Sequence, residues 1–410
     1  MPSPIRKLAP CLFAIMIDAM GFGLVYPVMT AIFTATHSPV LSASTSEHMR
    51  HFYLGLGFLL YPLCMFFGTS FMADLSDNYG RKTILTLCMI GIALSFALMG
   101  LGVVDSSLWL LFIGRALSGL MAGSQPVAQA AVGDISTQNN KAKNMAVVSF
   151  SYCIGVMFGP LIGGFTSDHN IYEGFNLSTP FFVAAVLSCL AVLWLIFGFR
   201  NTFIANTKKP IYFLRPITLF FEAFAHPTIR LLALVFLLMQ IGFSLYFQFI
   251  VVHMKLAFDY SNALLGGINS MLGIGFGVGL LVGMPLIVKV WKTKRIAVVL
   301  GLLTGIGQII AALIAFAWLQ WPLAIVIALF DIMAFTAMLT LFSDAVDAKQ
   351  QGWAMGIANA MMALAWTITG FASNLIHALG TNGLILGGGM FLIIAFLILQ
   401  TVKSQRGKIA

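Results

Sequence analysis

Three ionisable residues sit deep inside apolar runs, where charge is expensive: Asp18, Arg115 and Asp331. A charged side chain in a hydrocarbon layer is costly, and chains that keep one use it. Asp18 lies about ten residues into the first run, roughly 15 Å deep if helical. Arg115 and Asp331 lie about eight and about ten residues in from the opposite face of the fourth and tenth runs. All three therefore fall near mid-depth. Burial favours the neutral form of a carboxylate, and a neighbouring guanidinium favours the charged form. A carboxylate moved between those settings loads a proton on one side and releases it on the other, so Asp18 is a candidate proton carrier. A permanent Asp18–Arg115 ion pair is the purely structural alternative. Arg115 also suits an anionic group, since its planar fork matches a carboxylate. Asp331 suits a cationic group, a second proton or a polar contact between helices.

These residues need elements that span a membrane. Twelve apolar runs supply them, at 8–32, 52–73, 83–104, 107–132, 145–166, 179–199, 229–252, 262–288, 295–318, 321–343, 352–378 and 381–402. Runs of about 20 residues match the thickness of a bilayer core. With 60% hydrophobic and 9% charged residues over 410 positions, the chain does not fit a soluble globular protein. A net charge of +9 would point to nucleic acid in a soluble chain, but here it follows topology. With both termini on one side, that side's segments hold Arg6, Lys7, Arg81, Lys82, Lys141, Lys143, Arg200, Lys208, Lys209, Arg215 and Arg230. They also hold Lys289, Lys292, Lys294, Arg295, Lys349, Lys403, Arg406 and Lys408, which makes 19 of the 22 basic residues. Only Arg50 and Lys255 fall on the other side. The bias places both termini in the cytoplasm, and the resemblance given below points to a bacterial inner membrane.

The longest cytoplasmic segment carries Lys208-Lys209-Pro210, Arg215-Pro216 and a Phe-rich amphipathic piece through Phe224. It reads as a linker, 201–228, with a short helix on the membrane surface. It joins an N-terminal half, 1–200, to a C-terminal half, 229–410. Lys289–Arg295 after span eight faintly repeats the basic hairpin after span two. Paired halves of this kind suggest a secondary transporter with its site between them.

Other features carry less. Cys11, Cys64, Cys88, Cys153 and Cys189 lie in or beside apolar runs without a CxxC pair, which suggests neither disulfides nor metal. The first run is too long for a cleavable signal and reads as a span. The first outer loop holds His37, Glu47, His48, Arg50 and His51, a weak metal site or pH sensor set against a plain solvated loop. Asn176-Leu177-Ser178 is an outer glycosylation sequon. Gly273, Gly275, Gly277 and Gly279 lie inside an apolar span and read as packing, not as a phosphate loop.

Between spans two and three lies Leu75-Ser76-Asp77-Asn78-Tyr79-Gly80-Arg81-Lys82-Thr83-Ile84-Leu85. It resembles the loop-2/3 signature of the major facilitator superfamily, with Ala73 where Gly is usual and Asn78 where a basic residue is usual. Asp18-Ala19-Met20-Gly21-Phe22-Gly23-Leu24-Val25-Tyr26-Pro27-Val28 resembles the first span of its twelve-span drug/proton antiporters, the tetracycline efflux group in particular. Gly114-Arg115-Ala116-Leu117-Ser118-Gly119 with Gly123 resembles their span-four motif. Gly155-Val156-Met157-Phe158-Gly159-Pro160-Leu161-Ile162-Gly163-Gly164 matches their span-five motif. Physically, Gly155, Gly159 and Gly163 make one small helix face, and Pro160 removes a backbone hydrogen bond and kinks the helix. The expectation is a bent, tight contact between the two halves.

The resemblance implies an all-α integral membrane protein with the major facilitator fold, twelve transmembrane helices in two pseudo-symmetric six-helix halves. It implies a proton-coupled exporter of a small organic or drug-like molecule working by alternating access. The alternative is a dedicated metabolite or siderophore carrier of the same fold. An intramembrane enzyme or receptor is the competitor of another class, and no HExxH, GxSG or paired catalytic aspartates support it. No cofactor, metal or nucleic acid is expected; the partners are substrate, protons and the bilayer, with the chain a monomer. Proton coupling falls to Asp18 and Arg115. The cavity candidates are Asp18, Arg115, Gln125, Gln240, Asn269, Asp331, Asn359 and Trp366, with Gln129, Tyr246 and Gln248 on the same helices. By the resemblance, Asp77, Gly80, Arg81 and Asp134 form a gate in which Asp77 nears the start of span eleven and Arg81 reaches Asp134.

Overall fold

A hydrocarbon layer offers backbone N–H and C=O groups no water, so runs this apolar satisfy them within helices. The computed structural model describes residues 4–35, 37–136, 141–202, 210–227, 229–347 and 350–401. Lys208, Lys209, Lys349, Lys403, Arg406 and Lys408 lie outside them, as do the side chains of Arg6, Lys7, Lys141 and Lys143. The first helices are α1 (Pro4–Thr34), α2 (Glu47–Tyr79), α3 (Arg81–Val104), α4 (Leu108–Leu120), α5 (Ser124–Ile135), α6 (Lys141–Thr166) and α7 (Thr179–Gly198). A short α8 (Arg215–Ala225) follows. The rest are α9 (Arg230–Phe258), α10 (Asn262–Val278), α11 (Met284–Ile287), α12 (Thr293–Leu313), α13 (Ala317–Asp344), α14 (Gln351–Phe371) and α15 (Ile376–Thr401). A π-helical turn, Gly279–Gly283, joins α10 to α11.

Among the described residues, ten stretches are long and apolar enough to cross a membrane. The last of them, Gln351–Thr401, holds two crossings, α14 and α15. α4 and α5 are each too short alone and make one crossing together, which completes twelve.

The fourth run is therefore not the single helix its apolar length suggests. It breaks at residues 121–123. Pro126 explains where: it cannot donate to the carbonyl of Ala122, and its ring crowds that carbonyl. Close packing holds the break in place, because Gly119 lies against the Tyr61 carbonyl and Gly123 against Met72. The α2–α3 corner has a different cause. Gly80 sits at φ 93°, a conformation that side chains other than glycine rarely adopt.

The spans form two six-helix halves, α1–α7 and α9–α15. In the first, α1 packs on α6 and α3 on α4 and α7; in the second, α9 packs on α15 and α12 on α13 and α15. Across the halves α2 meets α14, α6 meets α10 and α1 meets α9. The second span of each half thus meets the fifth of the other, as pseudo-twofold symmetry requires. Arg81–Asp134, Lys82–Asn201 and Lys294–Gln400 contacts cluster at the end of the bundle where α15 finishes, the terminal end. Ser373–His51 and Asn262–Ser167 contacts lie at the far end.

The span-five expectation needs correcting. Gly155, Gly159 and Gly163 face the Met16, Met20 and Leu24 carbonyls of α1, inside the first half and not across it. Their four-residue spacing makes one face, and that face belongs to α1. Gly164, about 100° further round, meets Asn262 and Gly266 of α10, and Gly266 lies against the Pro160 carbonyl. α6 runs through Pro160 as one helix.

Toward the far end, residues 23–33 of α1 and 242–254 of α9 are buried on every side. Toward the terminal end both helices carry half-exposed positions, among them Leu12, Met16 and, on the opposite face, Asp18 of α1, and Leu234, Leu237 and Ile241 of α9. The halves are closed together at the far end and enclose these helices less completely toward the terminal end, the side on which we place the cleft between them.

Candidate functional site

Asp18 lies half-exposed at the head of this cleft. Its Oδ2 accepts a hydrogen bond from Ser124 Oγ, the first residue of α5. The break in span four is what presents that hydroxyl. Arg115 is fully buried on the other side of the break, in α4. Its Nε donates to the Gly57 carbonyl of α2 at 2.9 Å. The guanidinium lies over the Tyr61 ring, 4.6 Å from its centroid, with Tyr26 at 5.9 Å. Asp18 and Arg115 make no ion pair, so the alternative of a permanent bridge does not hold in this state. Each spends its charge on other partners.

Aromatic rings form the wall above Asp18. Phe22, one turn on, has its ring centroid 5.5 Å from Tyr61, 5.7 Å from Phe247 and 5.4 Å from Trp366. Rings at these separations gain quadrupole contacts beyond simple burial. Trp366 Nε1 donates to Gln240 Oε1 at 3.1 Å, and Gln248 Nε2 to Thr369 Oγ1 at 3.1 Å, tying α14 to α9. Ser124, Tyr61, Phe22 and Phe247 were absent from the sequence-based set; their partners lie too far off in sequence for spacing to signal them.

The other cavity candidates divide sharply. Asn359 is exposed on the Trp366 face of α14, two turns toward the terminal end, and Gln125 and Gln129 are half-exposed. Asn269 and Tyr246 are wholly buried, which removes them from the cleft wall in this state. Asp331 is buried in the second half, and its Oδ1 has no protein partner.

At the terminal end Arg81 Nη1 is 2.5 Å from Asp77 Oδ1, one helical turn apart across the Gly80 corner. Arg81 Nε donates to Asp134 Oδ2 at 3.2 Å, linking the hairpin to the end of α5. At the far end Asp168 Oδ2 accepts from the Ala263 N–H, in the first turn of α10, at 3.1 Å. Burial opposes its ionisation, but the N–H groups of Ala263 and Asn170 outweigh that and hold the carboxyl below the usual carboxylate range. Lys255 pairs with Asp259 at 2.7 Å, and Arg50 Nη1 donates to the Ala35 carbonyl at 2.6 Å. Both far-end basic residues thus have local structural partners. The His48 ring is 6.5 Å from that of His377, but among the described residues no three His, Cys, Asp or Glu side chains converge as metal ligands would.

Two six-span halves around a cleft with an ionisable group at its head define a multi-pass membrane carrier. The family match is equally clear: residues 11–370 match the Major Facilitator Superfamily, and the chain belongs to it. It is 26% identical to the tetracycline resistance protein, class C, of Escherichia coli, across 89% of this chain and 88% of that one. It is 31% identical to the class B protein of Escherichia coli across 47% of this chain, an alignment that spans 43% of that relative. Among solved structures it resembles a bacterial homolog of the human lysosomal transporter Spinster in an inward-facing, occupied conformation. The TM-score is 0.74 at 14% identity, over 98% of this chain and 97% of that one.

Proposed function

We propose that this protein is a proton-coupled exporter of an amphipathic, drug-like organic molecule, working by alternating access. The halves 1–200 and 229–410 rock about the central cleft, joined by the linker 201–228. Both termini lie in the cytoplasm of a bacterial inner membrane, so the terminal end faces inward. The basic residues counted above support that sidedness. Relatives named for tetracycline resistance support a fused-ring or similarly amphipathic cargo.

One observation carries the reading: Asp18 alone among the three mid-depth charges is not fully buried, and among the described residues the Ser124 hydroxyl donates to it. In this state Asp18 can release a proton to the cytoplasm and accept the Ser124 hydrogen bond. With the cleft turned outward it takes up a proton. Arg115 acts from behind Tyr61, fixing the turn of α2 that carries the aromatic wall and adding positive potential near Asp18. Substrate meets Asp18, Phe22, Trp366, Gln125 and Asn359. Gln240 orients Trp366. The hairpin of Asp77, Gly80 and Arg81, braced on Asp134, latches the inner side when it closes, with Asp77 moving to the positive end of the α14 helix dipole.

The test is substrate-driven proton release in inside-out vesicles containing a pH-reporting dye. A compound that restores dye fluorescence in the wild type and not in Asp18→Asn supports antiport and identifies a substrate class. Full proton exchange in Asp18→Asn removes the residue from this role.

A further inference from the structure

The linker helix does more than connect. We propose that α8 is a strap that holds the terminal ends of α2 and α14 at a set distance and so biases the carrier toward the inward-open state. α8 is seated on the second half: Leu219 and Ala223 are buried, and Leu219 lies over Gly356 of α14. Glu222 Oε2 accepts from Trp353 Nε1 at 2.6 Å, and the His226 ring is 5.2 Å from that of Trp353. The other end reaches the first half. Arg215 Nη1 is 3.0 Å from Asp74 Oδ1 of α2. Just before α8, the Phe213 ring stacks on Phe67 at 5.3 Å and meets Phe71 at 5.5 Å.

α2 and α14 are the two helices that must approach at this end for the cleft to close. A tether needs only chain length, and it has no use for an ion pair on one half in series with a charge-assisted hydrogen bond on the other. A helix of 11 residues is about 16 Å of stiff rod, and docked at both ends it resists both closure and wider opening. The site of the first dock matters too. Asp74 stands one turn before Asp77, in a hairpin that has Asn78 where a basic residue is usual, and Arg215 brings a cation to that hairpin from the linker. To close, the hairpin must let Arg215 go.

The test uses the full-length chain in lipid nanodiscs, with the native cysteines replaced and spin labels at Thr83→Cys and Lys292→Cys, both exposed at the terminal end on opposite halves. Distance distributions are compared for the parent, Arg215→Gln, Glu222→Ala and the double variant, each with an unchanged gel-filtration profile. Each single change should move the open-to-closed ratio about three- to fivefold toward closed, the scale of one exposed ion pair. The double variant should go no further than the larger single, because a strap cut at either end is cut. Arg215→Lys should keep the parent distribution. Unchanged distributions in both singles, or a double whose effect is the product of the two, overturn the strap. The reading involves neither substrate nor proton, so its failure is distinguishable from failure of the exporter assignment.

Discussion

The two halves bury polar side chains on different terms. In the first, each mid-depth charge has at least one partner: Asp18 has Ser124, and Arg115 has the Gly57 carbonyl and the Tyr61 ring, although Arg115 Nη2 and the Tyr26, Thr30 and Thr86 hydroxyls are buried without one. In the second, Asp331 Oδ1 and both amide atoms of Asn269 and Gln308 are buried with no protein partner. A buried polar group without a partner costs about 1–3 kcal/mol, so both halves carry that cost. They differ in that the mid-depth charges of the first are each bonded while two amide side chains of the second are bonded at neither atom. The contrast fits the proposal that proton exchange runs through Asp18 in the first half. Single substitutions on either side can break or sharpen it.

Arg115 should show the largest effect. Arg115→Lys keeps a buried charge but loses the Nε bond to Gly57 and the planar stack on Tyr61, and should cost about 3 kcal/mol. Arg115→Met removes the charge and should cost less. Thermal unfolding in detergent orders the two, and a lysine variant as stable as the native protein would show that the first half does not depend on these partners.

Ser124→Ala comes next. Removing a hydroxyl bonded to a carboxylate costs about 1.5–3 kcal/mol, so proton-coupled exchange should fall roughly tenfold or more while folding persists. Exchange at the native rate would leave Asp18 without an essential partner and erase the contrast with Asp331.

Asp168→Asn should have a smaller effect. This first-half carboxylate caps a second-half helix, so it measures how firmly the halves hold each other at the far end. Loss of a cap costs about 1 kcal/mol. Its folded-state pKa lies below the unfolded value of about 3.9, so the stabilisation is present above that value and is lost as pH falls through the lower, folded one. The distance between far-end spin labels on the two halves should therefore be constant from about pH 5 to 8 and widen only in stronger acid.

How far the sequence reached depends on distance along the chain. Apolar runs located the spans because a bilayer imposes length locally. The break in span four had a local signal too, in Pro126, but apolar length masked it. The glycines of span five announced a tight contact without naming its partner, since a small face fits any helix close by. Arg81 near Asp134 was reachable only through the family resemblance, 53 residues apart. Ser124 on Asp18, 106 residues apart, and Arg215 on Asp74, 141 apart, had no sequence signal at all. Contacts of that kind are set by how helices pack, and packing is a property of all twelve at once.

Asp331→Asn carries the smallest expected effect and tests the contrast most directly. The change is nearly isosteric, and it replaces a carboxyl group whose Oδ1 has no protein partner with an amide that cannot ionise. Stability should stay within about 0.5 kcal/mol of the native protein, as for substitutions that disturb no packing or bonding. Substrate-driven proton release in inside-out vesicles should persist, in contrast to Asp18→Asn. If instead the two variants lose coupling alike, the proton path runs through both halves. The unpartnered polar atoms of the second half would then belong to that path, and the difference between the halves would be one of conformational state, not of role.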